Sequence, residues 1–117
     1  MTEVDDVELL FILKILGIPI PVELVDYKDD DDEVTFGHYD STLLAIQLNK
    51  SASHLHQRLT LVHEIVHVVE DLLGLELEHK DVYAMSQAIY GLLLENRRLV
   101  KWLLEDKPEE VVYKHRC

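Results

Sequence analysis

The sequence predicts an α+β fold: a small antiparallel sheet packed on one long helix, followed by one or two further helices. Three observations carry this. Residues 54–73 place apolar side chains at helical spacing around the run T-L-V-H-E-I-V-H-V-V-E-D-L at 60–72. Four short apolar runs precede that helix, separated by turn residues. Helical periodicity then returns at 79–95 and again at 96–105. The 117 residues suit a single domain, 1–117, with one modest core.

The elements follow in chain order. Residues 1–8 are acidic and read as a turn or short helix, and residues 9–16, rich in Leu, Ile and Phe, read as a strand. Gly17-Ile18-Pro19 is a turn signal, and 21–25 pairs back as a second strand with prolines at its start. Residues 26–33 read D-Y-K-D-D-D-D-E, where six of eight side chains are acidic and repel into a solvated loop. That stretch matches a common epitope tag except at its last residue, so an engineered insertion and a natural acidic loop are both open. It lacks the spacing of a calcium loop. Residues 34–38 and 43–48 form an antiparallel hairpin joined through Tyr39-Asp40-Ser41-Thr42.

Ser53 is the expected N-cap of the central helix and Gly74 its left-handed C-terminal residue. Leu55, Leu59, Val62, Val66, Val69 and Leu73 make one tight stripe, widened by Leu61, Ile65, Val68 and Leu72. His56, Thr60, His63, His67 and Glu70 share the neighbouring stripe, so the polar face borders the buried one. The second helix, 79–95, has a core stripe of Val82, Met85, Ile89, Leu92 and Leu93, with His79, Tyr83, Gln87 and Tyr90 beside it. Residues 111–113 add a small strand or a tail.

Composition narrows the function. A net charge of −12 repels phosphate, which argues against a nucleic-acid or anionic-membrane surface and attracts a cation or a basic protein segment; a fold that is merely acidic and soluble is the plain alternative. The lone cysteine, Cys117, allows no intrachain disulfide and fits a reducing cytoplasm. The acidic residues Glu3, Asp5, Asp6 and Glu8 stand where a secretory signal carries positive charge. The apolar run at 9–20 is too short to span a bilayer.

The chemistry sits in H-E-x-x-H: His63, Glu64 and His67. Residues i and i+4 stack on one helix face, so both imidazoles reach one small cation, and neutral imidazole is a good zinc donor. Glu64 does not point with them; in such motifs the carboxylate takes the proton of the attacking water. The other positions, Leu61, Val62, Ile65, Val66, Val68 and Val69, are apolar, as a half-buried helix requires. The plain alternative is two hydrogen-bonded histidines on an amphipathic helix. His54 and His56 read as surface residues, and His56 is too far along the helix to share the metal.

Residues 43–104 resemble small phage- and prophage-type zincins, related to the ImmA/IrrE-type metallopeptidases and loosely to SprT-like proteins. The resemblance rests on T-L-V-H-E-I-V-H, on Glu70-Asp71 before L-L-G-L, and on V-Y-A-M-S-Q-A-I-Y followed by L-L-x-E-N. It implies zinc, a peptide or protein substrate, and a third ligand, a Glu, near the start of the next helix. Tyr83 stands at that position here, a departure that bears on catalysis more than on metal binding. Glu78, His79, Asp81 and Tyr83 are the third-ligand candidates. His79 comes first because imidazole ligates without losing a proton, whereas a phenol must ionise; Asp81 is second and Tyr83 third. Glu70 is the candidate for orienting a ligand histidine. The expected activity is zinc-dependent hydrolysis of a peptide bond in an intracellular protein, for which the resemblance implies a regulator. The rival is a degenerate zincin that acts as a protein-binding module.

Overall fold

A computed structural model describes residues 7–27 and 36–106. The order is β1 (Val7–Ile15), β2 (Ile18–Val25), β3 (Gly37–Asp40), β4 (Ala45–Asn49), α1 (His54–Leu73), α2 (His79–Glu95) and α3 (Arg97–Leu103). The α+β class follows directly. The strands form one sheet in the order β1-β2-β4-β3, so β1 and β3 are its edges. β1 pairs with β2 and β3 with β4, both antiparallel, as the hairpin signals require. β2 and β4 run parallel, with Val22 opposite Ile46 and Val25 opposite Asn49, so the sheet is mixed. The long connection between β2 and β3 permits this pairing, which no local signal announces.

The β1–β2 turn sits one residue earlier than expected. Leu16 and Gly17 both take positive φ, 53° and 84°, the pattern of a two-residue hairpin turn that matches strand twist. Pro19 and Pro21 belong to β2, but β4 pairs only with residues 22–25, so one side of β2 has no partner at either proline. In the β3–β4 connection, Asp40 Oδ1 accepts the N–H groups of Thr42 (2.9 Å) and Leu43 (3.2 Å), and Leu44 closes the loop with φ 53°. The predicted strand at 34–38 begins at Gly37 among the described residues; 28–35, 111–113 and Cys117 lie outside them.

The central strands supply the core. Ile20, Val22 and Ile46 are fully buried and cluster with Ile15, Leu48 and Val68, while Leu61, Ile65, Val69 and Leu72 pack on them from α1. The helix therefore turns a face centred on Leu61, Ile65, Val68 and Leu72 to the sheet, rotated from the predicted stripe. Leu55 and Leu73, at the ends of that stripe, are more than half exposed. The apolar arc spans half the helix, and the sheet covers one part of it while α2 packs along another. Ser53 Oγ accepts the His56 N–H at 3.2 Å, and Gly74, at φ 68°, ends the helix through bonds to the Asp71 and Glu70 carbonyls. Both caps are where the sequence put them.

On α2 only Val82 and Ser86 are buried. Met85, Ile89, Leu92 and Leu93 of the predicted core stripe are exposed, because periodicity marks an apolar face without saying what covers it. Asn96 (φ −132°, ψ 62°) breaks the helix before α3.

Gly37 fixes the approach of β3 to α1. A Cβ there would stand 2.5 Å from the Gln47 carbonyl oxygen and 2.9 Å from Thr60 Cγ2. Gly37→Ala is expected to destabilise by about 1–3 kcal/mol through this overpacking. Leu16→Asn should do the reverse: the side chain is 60% exposed, so little packing is lost, and the left-handed penalty of about 1 kcal/mol is relieved. Urea unfolding of both variants checks the two signs.

Candidate metal centre

The site lies on the polar face of α1, where it borders the edge strand β3 and the start of α2. His63 and His67 emerge one turn apart with ring centroids 4.8 Å from each other. His79, the first residue of α2, brings its ring to 5.3 Å from His63 and 5.7 Å from His67. One ring nitrogen from each of the three lies within 4.8 Å of the other two. Around a tetrahedral zinc with bonds of ~2.0–2.1 Å, ligand nitrogens stand about 3.3 Å apart. A bound ion would draw the three nitrogens closer than the spread seen here, and His79 is the exposed member of the group.

The two α1 histidines are held so that the same nitrogen faces the cleft. His67 Nδ1 lies 3.0 Å from Glu70 Oε1, while Glu70 Oε2 accepts the Leu77 N–H at 2.8 Å. These bonds, the Leu77 N–H first and His67 second, hold the Glu70 carboxyl below its ordinary range. An ionised carboxylate only accepts, so His67 donates from Nδ1 and keeps the Nε2 lone pair for a cation. His63 Nδ1 lies 3.5 Å from Ser86 Oγ, which is itself 2.9 Å and 3.0 Å from the Val82 and Tyr83 carbonyls. The single Ser86 proton serves those carbonyls, leaving Oγ to accept from His63. Burial pushes the His63 pKa down, and His67 and His79 push it further, which favours the neutral, ligating form.

Glu64 occupies a different environment. It is 8% exposed, and burial raises its carboxyl to about 7, against the opposing effects of His67 and of the Tyr39 backbone N–H that it accepts. A carboxyl near neutrality and beside the imidazole pair has the proton affinity of a general base. Tyr39 also reaches α1 with its side chain, donating from its hydroxyl to Asp71 Oδ2 at 2.8 Å. Burial and this carboxylate raise the Tyr39 hydroxyl to about 12.

The sequence-predicted residues thus divide. His63, Glu64, His67 and His79 line one cleft, of about 550 Å³, together with Glu70. Tyr83 lies beside them, its ring 6.1 Å from that of His63, and lines a second, adjoining cavity. Asp81, the second-ranked ligand candidate, is exposed and lines neither cavity. Glu78 likewise lines neither, and its carboxylate lies 3.7 Å from Lys80. His54 is on the surface beside Arg58, as expected. His56 stacks on Phe36 at 4.7 Å and borders the second cavity, a role the sequence did not indicate. Tyr39 and Ser86 were also missed. Ser86 had a signal, a lone small polar residue in an apolar helix seven positions, or two turns, after His79; Tyr39 had none, since its partners are far along the chain.

No family model, curated protein or solved structure matches the chain. The three-imidazole cluster is a group that could hold a metal ion, and its chemistry rests on the geometry alone. Among the described residues, no helix is long and apolar enough to cross a membrane.

Three outcomes test the cluster. His79→Ala should weaken zinc binding by about 10-fold or more, while Asp81→Ala leaves it unchanged. Glu70→Gln should weaken it by about 10–100-fold through loss of the His67 orientation. Competition with a chromogenic chelator measures all three. Separately, the Tyr39 hydroxyl is protonated in the fold up to about pH 12, against 10 when unfolded. A raised acid pKa means that stability is full below pH ~10 and is lost as pH rises toward 12. Tyr39→Phe should remove the highest-pH component of the tyrosinate absorbance titration.

Proposed function

We propose that the protein is a zinc-dependent peptidase of the zincin type. The observation that carries this reading is the convergence of three imidazoles and one nearly buried carboxylate, Glu64, in an open cleft beside the edge strand β3. Three neutral nitrogen donors suit zinc, and the closed second side of His63 and His67 is what ligating histidines require. Bound there, the metal would supply a Lewis acid that polarises the scissile carbonyl and makes water a nucleophile near neutral pH.

The residues of the chain do the rest. Glu64 accepts a proton from the attacking water as its oxygen bonds to the carbonyl carbon. It then returns that proton to the leaving nitrogen as the C–N bond breaks, giving a carboxylate and an amine. The Tyr83 hydroxyl, on a ring 6.1 Å from that of His63, would be a donor to the developing oxyanion. β3 is four residues long and lies at the sheet edge; Glu64 holds the Tyr39 N–H there, so an extended peptide can run beside it across the cleft and pair with the edge groups that remain. The substrate class is a peptide segment of an intracellular protein, by analogy with the resembled family a regulator, and the proposed compartment is the cytoplasm.

The rival reading, a metal-holding module that binds peptide without cutting it, is favoured by one observation: Tyr83 stands where the resembled enzymes carry a ligating Glu. Hydrolysis of a peptide library, with and without chelator, separates the two. The peptidase reading expects one zinc per chain by elemental analysis and chelator-sensitive cleavage. Glu64→Gln should keep its zinc and lose activity by ~10²–10⁴-fold. Loss of zinc in that variant would make Glu64 a ligand and reverse the assignment; zinc binding without turnover would leave the binding module.

A further inference from the structure

The cavities on either side of the imidazole cluster differ in chemistry, and their difference specifies a substrate. Both are lined by His63, Glu64 and His79, so they are two lobes of one groove with the proposed reaction centre between them. One lobe, of about 490 Å³, lies toward the start of β3 and is walled by Phe36, His56, Leu59 and Tyr83. Phe36 stacks on His56 at 12° between planes, which fixes the phenyl ring while leaving it 37% exposed. Tyr83, 56% exposed, lines the same lobe. A lobe with Phe36, Leu59 and Tyr83 in its lining takes an aromatic or large aliphatic side chain.

The other lobe, of about 550 Å³, lies toward the end of β3 and includes Tyr39, Ser41, Glu70, Asp71 and Leu75. Both Glu70 oxygens are engaged, by His67 and by the Leu77 N–H. Asp71 is different: the Tyr39 hydroxyl engages Oδ2 alone, Asp71 is exposed and lines the lobe, and no lysine or arginine lines it. A carboxylate held by a hydroxyl receives a Lys or Arg head group, and Leu75, the one aliphatic residue of the lining, is where the stem would pack. The chain's net charge of −12 adds attraction at longer range.

We propose that the groove recognises a bipartite peptide, with a large apolar residue in the Phe36 lobe and a basic residue in the Asp71 lobe, flanking the bond at the metal centre. This deepens the peptidase reading and rests on it for the word substrate, but recognition itself is tested without turnover. Fluorescein-labelled peptides carrying Phe–Lys, Phe–Glu and Ser–Lys pairs, in both chain orders, are titrated by anisotropy against zinc-loaded Glu64→Gln. The same ranking is read in metal-free wild type, which retains both lobes. The Phe–Lys peptide in one order should bind about 10-fold tighter than its Phe–Glu counterpart, since an ion pair is replaced by like-charge contact. Asp71→Asn should shrink that ratio to about 3-fold or less, and Phe36→Ser should erase the preference for Phe over Ser while leaving the Lys preference intact. Equal binding of Lys and Glu peptides, selectivity that survives Asp71→Asn, or no binding of any peptide overturns the proposal. Cleavage of the same peptides by wild type is scored separately. Selective binding without cleavage sinks the peptidase reading and leaves the recognition standing; cleavage without selectivity does the opposite.

Discussion

The arrangement depends on one residue that bridges two elements. Tyr39 donates its backbone N–H to Glu64 and its hydroxyl to Asp71, and its ring packs against the core. Glu64 and Asp71 are seven positions apart, two turns of α1, and therefore share a face. A single residue of β3 thus grips α1 along about 10 Å of its axis. The grip sets how far the edge strand stands from the helix, and with it the width of the groove. Gly37, two residues earlier, allows the same approach by having no side chain to place between Gln47 and Thr60. The cost is a carboxylate taken out of water, and the Tyr39 N–H returns only part of that solvation. The residual destabilisation of the charged form is what leaves Glu64 with a raised proton affinity, so the joint that builds the cleft also tunes this carboxyl.

α1 can carry this site because its circumference is divided. Leu61, Ile65, Val68 and Leu72 meet the sheet, α2 packs along a second side, and the histidines occupy the remainder. The third histidine then needs only that α2 begin near His67. Gly74 turns the chain, and the Leu77 N–H docks on Glu70, so the connection between the helices is tied to the residue that orients His67. The position of His79 and the orientation of His67 therefore share a cause. Disturbing Glu70 should loosen both, which distinguishes it from a carboxylate that merely sits near the metal.

Much of the site was legible because it is local. The spacing of His63 and His67, the placement of Glu64 between them and the caps Ser53 and Gly74 all follow from helix geometry within a few residues. His79 was legible as a donor at a helix start, and the bend at Gly74 brings it to the pair. What could not be read depends on tertiary packing. The parallel pairing of β2 with β4 crosses a long connection. The rotation of α1 depends on which part of a broad apolar arc the sheet covers. Met85, Ile89 and Leu92 form a helical stripe as good as any core, and nothing among the described residues covers it. Tyr39 and the stack of Phe36 on His56 join residues some 20 to 32 positions apart, beyond any periodicity.

The central claim is that a metal is held by imidazoles from both α1 and α2. X-ray absorption at the zinc edge of the loaded wild-type protein tests it most directly, because imidazole rings leave a characteristic outer-shell signature. The account predicts nitrogen or oxygen neighbours at ~2.0–2.1 Å with outer-shell scattering that fits three imidazoles. Scattering from only two imidazoles, or a sulfur neighbour at ~2.3 Å, would contradict it.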